Sequence, residues 1–312
     1  MDDAVIVLTL AAAVSAGTPL VFAAVGETLA ERAGVLNLGV EGMMLVGAVV
    51  TFLAGDAWGN PWLALALGLL AGGALAAVHA FLSVTLRGNQ IVAGLALVTF
   101  AIGLSTFVGQ PVEGKPLRTN VEGLDLPLLG DIPVVGRILF QQDPLVYLSW
   151  LVVAAAAFYL TRTRAGLAVR AVGEAPGSAD AAGIDVAARR WAHVIAGGLL
   201  AGAGGAYIVL VRVPSWSQSA TTGGLGWIAL ALVVFASWKP WRVLVGAYLF
   251  GIALRANFAL QAEGITVIPA EFLAMLPYVL TIVVLIMLAS GDLRRRAGAP
   301  SALGVPFVRD ER

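Results

Sequence analysis

The chain has 312 residues, of which 59% are hydrophobic and only 12% are charged, and its formal net charge is zero. Soluble globular proteins carry about twice that share of charged residues, so the composition indicates an integral membrane protein, and the charge balance gives no basic field for nucleic acid. Cysteine is absent and the histidines are only His79 and His193. Disulfides and thiolate catalysis are therefore excluded, and a histidine-rich metal site is disfavoured.

Windows of about 20 apolar residues predict the membrane-spanning helices. The first window follows an acidic start, Met1-Asp2-Asp3, and is too long for the apolar core of a signal peptide, so it is predicted to be a retained span. The predicted spans are 4–26, 36–55, 61–86, 91–109, 144–161, 191–212, 224–238, 242–260 and 271–290. This odd number places the two termini on opposite sides. The predicted fold is an all-α polytopic bundle of about nine spans, within a range of eight to ten.

The distribution of Lys and Arg predicts the orientation. With the N-terminus outside, the cytoplasmic side receives Arg32, Arg87, Arg162, Arg164, Arg170, Arg189, Arg190, Lys239, Arg242, Arg294, Arg295, Arg296, Arg309 and Arg312. The outside receives Lys115, Arg118, Arg137 and Arg212, and Arg255 lies within a span. This asymmetry agrees with the positive-inside rule and predicts a cytoplasmic C-terminus.

The segment 110–143 is the longest predicted external connection. It contains four prolines, yet it is too apolar around 124–129 to be a free linker. We expect a cap at the membrane surface, which either forms part of a docking surface or only covers helix ends.

Glycines predict where helices pack most closely. Gly198 and Gly202 form a GxxxG pair, and Gly68 and Gly72 repeat the pattern in the third span. The span 224–238 is only about 15 residues long and is entered through Gly223, Gly224 and Gly226, so it is predicted to be discontinuous or buried, which is typical of a transport pathway.

The stretch 161–191 separates two apolar spans and carries five of the arginines. Its middle is predicted to form a short helix, because Pro176 suits a first helical turn and Gly183 suits the position after the end. On charge alone, this stretch is either a loop that sets topology or a helix that fits a cleft on a partner.

A further motif lies at the end of the first span. In GETLAERAGVLNLGVEGMMLVG (26–47), a short polar turn, Glu27 to Arg32, is expected to lead into a span that starts with Asn37 and Glu41. Buried polar groups here need partners, and Asn37 is placed to satisfy a broken helix start, while Glu31 is expected to pair with a nearby arginine.

Six segments have sequences typical of one family of transporters: ERAGVLNLGVEGMM (31–44), NQIVAGLAL (89–97), LPLLGDIP (126–133), Ala182-Gly183-Ile184, GWIALA (226–231) and WKPW (238–241). They resemble ABC importer permeases of the ribose, branched-chain amino acid and nucleoside group, most specifically the purine nucleoside branch. The similarity covers about 18–290. The chain departs from the family pattern at Val98, where Asn is common, and at Ser237-Trp238, where Gly-Arg is common. The departure at Val98 removes a possible polar contact for the ligand, so it affects the identity of the substrate more than the class of transporter.

The resemblance implies a multi-pass permease domain, 1–292, in the bacterial plasma membrane, with a coupling loop at 162–190, an external loop at 110–143 and a cytoplasmic tail at 293–312. The implied partners are a homologous second permease subunit, a cytoplasmic ABC ATPase and an extracytoplasmic substrate-binding lipoprotein. The chain would not be an enzyme and would bind no cofactor itself, since ATP and magnesium belong to the ATPase. The residues that would transmit the motion of the ATPase are Glu174, Ala175, Pro176, Ser178, Ala179, Ala182, Gly183 and Ile184.

Polar and aromatic side chains within the predicted spans are candidates for the substrate pathway, since they suit a heterocycle and a ribose edge. They are Asn37, Glu41, Asn89, Gln90, Thr99, Phe100, Trp227 and Asn257, and each also has a structural interpretation as a helix bridge or core residue. His79 is interpreted as a satisfied contact between helices.

Three alternatives stay open at this point. The cargo could be a simple sugar or a branched-chain amino acid instead of a nucleoside, and the chain could be an ion-coupled secondary transporter. The last alternative favours carboxylates deep in the bundle, whereas Glu41 and Glu271 lie near span ends. A string similar to a phosphate-binding loop, Gly109 to Lys115, is followed by Pro116 where the motif needs a hydroxyl, so the sequence gives no ATP site of its own.

Overall fold

The structure is a computed structural model that describes residues 3–125, 127, 129–217, 221–262 and 298–309, together with single positions at 272, 275, 279, 282, 283 and 286. Its α-helices are α1 (Asp3–Arg32), α2 (Val40–Trp58), α3 (Pro61–Ala80), α4 (Gln90–Gly109), α5 (Pro144–Arg162), α6 (Arg164–Glu174), α7 (Pro176–Ala181), α8 (Val186–Tyr207), α9 (Leu225–Phe235) and α10 (Pro240–Ala262). Turns of π-helix at Phe81–Thr85 and Ile208–Arg212 extend α3 and α8, and short helical turns occupy Gln110–Val112 and Gly136–Phe140.

The polytopic helical bundle predicted from the sequence is confirmed. Among the described residues, six helices are long and apolar enough to cross a membrane: Val5–Arg32, Val40–Trp58, Pro61–Thr85, Gln90–Val112, Pro144–Arg162 and Val186–Arg212. The short late span is confirmed as α9, which has 11 residues. The last predicted span, 271–290, lies outside the described residues apart from single positions.

Helix starts follow directly from local sequence. Asn60, Asn89 and Asp143 each precede a helix, and their side-chain oxygens accept hydrogen bonds from two backbone N–H groups of the first turn. Proline follows two of them, as Pro61 and Pro144, where its missing N–H costs no helical hydrogen bond. These caps fix where the spans begin.

Helix α8 lies at the centre of the bundle and packs through glycines against α1, α2 and α3. A Cβ atom on Gly202 would lie 2.5 Å from the carbonyl oxygen of Gly68, and one on Gly26 would lie 2.6 Å from that of Gly197. Gly72 meets Gly198 and Gly202 in the same way. The predicted close packing of the two GxxxG pairs is therefore confirmed, because no larger residue fits between these backbones.

The two ends of the bundle differ in composition. One end, which we call the arginine end, carries Arg32, the segment 163–190 and Trp238; the carbonyl of Arg32 there touches Gly173. The tail residues 298–309 also pack at the arginine end, since the N–H of Gly304 donates to the carbonyl of Gly34 at 3.3 Å.

The other end, which we call the loop end, carries the segment 110–143 and the start of α1. Backbone N–H groups of Leu117 and Val121 donate to the carbonyls of Pro214 (2.7 Å) and Leu210 (3.1 Å). Gln142 reaches the carbonyl of Ala11 at 3.2 Å. Burial raises the pKa of the Asp143 carboxyl, although hydrogen bonds from Tyr207 and from the first turn of α5 oppose this shift. The segment is thus a folded cap, as expected.

One predicted boundary is wrong. Glu27 to Arg32 were expected to form a polar turn, but they are the last residues of α1, and the turn lies at 33–39. Glu27 and Glu31 therefore belong to α1. Their carboxylates are almost fully buried in the bundle, because each accepts a hydrogen bond from another segment. The second span accordingly starts at Val40 and not at residue 36.

Candidate functional site

The segment 33–39 is irregular backbone between two membrane helices, so its polar groups need partners from side chains. The N–H of Leu36 donates to Gln90 Oε1 at 2.7 Å, and the N–H of Asn37 donates to Glu27 Oε1 at 3.0 Å. The Asn37 side chain accepts from the N–H of Gly39 at 3.0 Å, and Nε2 of His79 contacts the carbonyl of Leu36 at 3.2 Å. The predicted roles of Asn37 and His79 in satisfying a broken helix start and a helix contact are confirmed.

Glu41, in the first turn of α2, binds the start of the short helix α9. Its Oε1 accepts hydrogen bonds from the Thr222 hydroxyl (2.6 Å) and the Gly224 N–H (3.2 Å), and its Oε2 accepts one from the Gly226 N–H (2.6 Å). A Cβ atom on Gly226 would lie 2.5 Å from Glu41 Cα, so the two helices touch backbone to backbone. We call this arrangement the Glu41 cap. It joins residues about 180 positions apart in the chain.

The Glu41 cap lies deep in the bundle. Helix α9 has 11 residues and so rises about 16 Å from Gly224 to the turn at the arginine end. That is roughly half of a 30 Å hydrocarbon core. The starts of α2 and α9 therefore meet inside the bundle, about 16 Å from the turn at the arginine end.

The turn between α9 and α10 is held by the end of α1. The indole N–H of Trp238 donates to Glu31 Oε2, and Arg32 donates to the carbonyls of Trp238 (Nε, 3.3 Å) and Ser237 (Nη2, 3.4 Å). The hydrogen-bond donor to Glu31 is thus an indole, and the expected arginine, Arg32, interacts with Glu31 through its charge. Ser237 and Trp238 both have left-handed backbone, with φ of 52° and 54°. We call Glu31, Arg32, Ser237 and Trp238 the turn clamp.

Replacing Ser237 with glycine is expected to raise the stability of the protein by about 1 kcal/mol, because an L-residue in left-handed backbone carries a steric cost that glycine lacks. Thermal unfolding of the detergent-solubilised protein measures this gain as a higher midpoint. Ser105→Gly, the same change within helix α4, is the matched control and is expected to lower the midpoint. A lower midpoint for Ser237→Gly would contradict the account of the turn.

The candidate pathway residues fall into two sets. Asn37, Glu41 and Gln90 are buried and hydrogen-bonded beside the 33–39 segment. The others lie at the surface of this chain: Asn89 caps α4, the Thr99 hydroxyl bonds its own helix, Phe100 is 57% exposed and Trp227 is 38% exposed. Asn257 lies on α10, and its side chain is outside the described residues. The first set therefore shares one region of the bundle, and the second set faces outward.

The predicted helix in the segment 161–191 is α7, which starts at Pro176 as expected. Gly183 follows its end with φ of 82°, and the N–H of Ile184 donates to the carbonyl of Ala179 at 3.0 Å. This pattern is a Schellman-type helix end. Ala179 is buried, whereas Glu174, Ala175, Ser178, Ala182 and Gly183 are exposed and Pro176 and Ile184 are half-buried. The exposed face of α7 is thus open to a partner.

The helix that precedes α7 was not predicted from the sequence. Helix α6 is capped by the Thr163 hydroxyl, which accepts a hydrogen bond from the Gly166 N–H at 3.0 Å, and it buries Val169 and Val172. The sequence contained a signal for this helix: a threonine suited to a helix start, Thr163, followed by the apolar residues Val169 and Val172 three positions apart. The coupling segment, which we define as residues 164–185, therefore contains two helices.

A cavity of about 300 Å³ lies beside the coupling segment at the arginine end. Arg87, Arg190, Phe307 and Arg309 are among its lining residues, together with Asp180. Arginines that were assigned to one side by the charge rule therefore meet around a single cavity, although they are up to 222 positions apart in the sequence (309 − 87).

Comparisons with known proteins agree with this architecture. Residues 9–285 match the family described as branched-chain amino acid transport system / permease component. The chain is 40% identical over 322 aligned residues to a putative glucose ABC transporter permease protein of Haloferax volcanii, covering 96% of this chain and 97% of that one.

Two further relatives cover the chain equally well. A nucleoside ABC transporter permease protein of Lactococcus lactis is 38% identical over 305 residues, and a guanosine ABC transporter permease protein of Bacillus subtilis is 35% identical over 308 residues. Both alignments cover 94% of each chain. With the helical bundle, the buried polar turn and the broken helix start in place, the chain belongs to the branched-chain amino acid transport system / permease component family and is a multi-pass permease subunit of an ABC transporter.

Proposed function

We propose that this permease imports a nucleoside, and that a separate cytoplasmic ATPase drives it through the coupling segment. The observation that carries the proposal is the Glu41 cap, which fixes the start of the short helix α9 inside the bundle. In transporters, discontinuous helices of this kind commonly form the solute-binding site. The permease would act with a homologous second subunit and an extracytoplasmic substrate-binding lipoprotein.

In this proposal the arginine end faces the cytoplasm of a bacterial plasma membrane and the loop end faces outward. The support is the excess of Arg and Lys at the arginine end and tail. ATP and magnesium would be bound by the ATPase and not by this chain. Closure of the ATPase would press on the exposed face of α7, and the turn clamp would pass the displacement to α1 and α9.

The charge at the Glu41 cap bears on the cargo. Free N–H groups at a helix start attract anions, and broken-helix transporters use such starts for substrate carboxylates. Here the Glu41 carboxylate already occupies the start of α9. These N–H groups are therefore not available to the carboxylate of a branched-chain amino acid, whereas a nucleoside or a sugar needs no such anion site. The geometry therefore favours a solute without a carboxylate.

The names of the relatives support two neutral cargoes. Two are described as nucleoside or guanosine permeases, and one as a putative glucose permease at slightly higher identity. We propose a nucleoside first, because two named relatives and the signature 31–44 point to it, and a sugar second. Uptake of labelled guanosine, in cells with and without this chain, separates the two.

Deletion of the chain is expected to abolish most guanosine uptake, and excess inosine is expected to compete with it, whereas excess glucose, ribose or leucine is not. The control is a deletion strain in which the wild-type chain has been restored. If guanosine uptake survives deletion in cells with no redundant route, and labelled glucose uptake is lost instead, the cargo is a sugar and the nucleoside proposal fails.

A further inference from the structure

The tail residues 298–309, which we call the strap, cross the coupling segment at the arginine end. Hydrogen bonds to and from the strap backbone attach it to the bundle. The N–H of Ala302 donates to the carbonyl of Gly173 at 2.9 Å, and the side-chain Nη1 of Arg190 donates to the carbonyl of Val305 at 3.0 Å. Arg32, a member of the turn clamp, donates to the carbonyl of Gly298 at 3.3 Å. The strap thus touches α1, α6 and α8 together.

The side chains of the strap bind the coupling segment itself. The N–H and hydroxyl of Ser301 both donate to Glu174 Oε2, at 3.2 and 2.9 Å. Arg309 pairs with Asp180 of α7 at 3.3 Å. Phe307 packs against a small buried cluster formed by Val172, Ala179 and Val186, with one residue each from α6, α7 and α8. The strap therefore holds both ends and the inner face of α7.

Helix α7 needs such support. It has six residues, and isolated helices shorter than about 12 residues are marginal in water, so its position depends on tertiary contacts. Its cluster contains three buried residues, and Phe307 covers them from the strap side. Ser178, Ala182 and Gly183 stay exposed on the opposite side. The strap occupies the inner face of α7 and leaves the outer face to the ATPase.

We propose that the strap is a positioning element for energy transfer: it fixes α7 to α1, so that force applied to α7 moves the turn clamp instead of deforming the coupling segment. This role rests on the proposed coupling of the permease to an ATPase through α7. Phe307 supplies the packing contact between the strap and the cluster that contains Ala179 of α7. The ion pair Arg309–Asp180 contributes little stability, because the Arg309 side chain is 72% exposed. Its role is to align the strap along α7.

The test uses the full transporter complex in proteoliposomes and measures ATP hydrolysed for each labelled solute molecule imported. Phe307→Ala, and a chain ending at residue 297, are expected to raise this ratio by about threefold to tenfold. Val305→Ala is the matched control, because Val305 lies on the strap but is 53% exposed and is absent from the cluster. Hydrogen exchange of amides 177–184 is expected to rise in Phe307→Ala and to stay unchanged in Val305→Ala.

A charge reversal completes the test. Arg309→Asp alone is expected to raise the ratio about twofold, and adding Asp180→Arg is expected to restore it, which a loss of folding would not do. An unchanged ratio in both Phe307→Ala and the shortened chain would overturn the role of the strap. If the wild-type complex itself imports solute without ATP, the proposed function fails, whatever the strap variants do.

Discussion

Replacing Gly183 with tryptophan is expected to abolish coupled uptake while ATP hydrolysis and membrane insertion persist. Gly183 follows the end of α7 on its exposed side, and a Cβ atom there would meet nothing within 4 Å. The indole therefore enters the space that the proposed ATPase cleft would fill. The positive φ adds a backbone cost of about 1 kcal/mol, too small to unfold the spans.

Gly59→Trp is the matched control for this change. Gly59 also has left-handed backbone, with φ of 63°, also has no atoms within 4 Å of its Cβ position, and also ends a helix, but it lies at the loop end. Both variants carry the same strain, so their thermal midpoints are expected to fall equally. Only Gly183→Trp is expected to raise the ATP hydrolysed per solute by at least tenfold. Equal coupling in the two variants would contradict a docking role for α7.

Replacing Glu41 with alanine is expected to cause the largest loss at the candidate site. Removal of the carboxylate leaves the Thr222 hydroxyl and the N–H groups of Gly224 and Gly226 without their acceptor. Hydrogen bonds to a charged acceptor contribute more than neutral ones, so a loss of about 3 kcal/mol in stability is expected, and solute uptake should fall more than tenfold. Thermal unfolding and uptake at matched expression measure the two effects.

Glu41→Gln separates charge from shape. The glutamine oxygen can still accept hydrogen bonds from two donors, but its NH₂ group faces an N–H group that now donates to the carboxylate. The expected losses of stability and uptake are therefore smaller than those of Glu41→Ala. Glu122→Gln, the same change at an exposed position of the loop end, is the control and should leave both measurements unchanged. If Glu41→Gln retained full stability and uptake, the carboxylate would not be needed to hold α9.

Six of the nine predicted spans were confirmed as long apolar helices, and a seventh as the short helix α9, because hydrophobic length is a property of each segment alone. Helix α7 was also placed correctly, since Pro176 and Gly183 carry their backbone preferences with them. The α1 boundary was wrong for the opposite reason. Whether Glu27 and Glu31 end a span depends on hydrogen bonds from Asn37 and Trp238. Hydropathy does not reveal the first hydrogen bond, and no local window contains the partner of the second.

The same limit applies to the candidate site. Glu41 was identified as a pathway residue, but its three donors lie at 222–226, and neither hydropathy nor spacing links these positions. The outward positions of Thr99 and Phe100 depend on which face of α4 meets α2, and an evenly apolar helix does not reveal that face. The strap was missed entirely, because the tail after Asp292 carried no recognisable pattern.

The measurement that tests the central claim most directly is solute uptake under separate control of ATP and the membrane gradient. In cells that import labelled guanosine through this chain, depletion of ATP with the gradient maintained is expected to stop uptake. Collapse of the gradient with ATP maintained is expected to leave uptake largely intact. Uptake that persists without ATP and ceases with the gradient would contradict coupling through α7 and would identify an ion-coupled transporter instead.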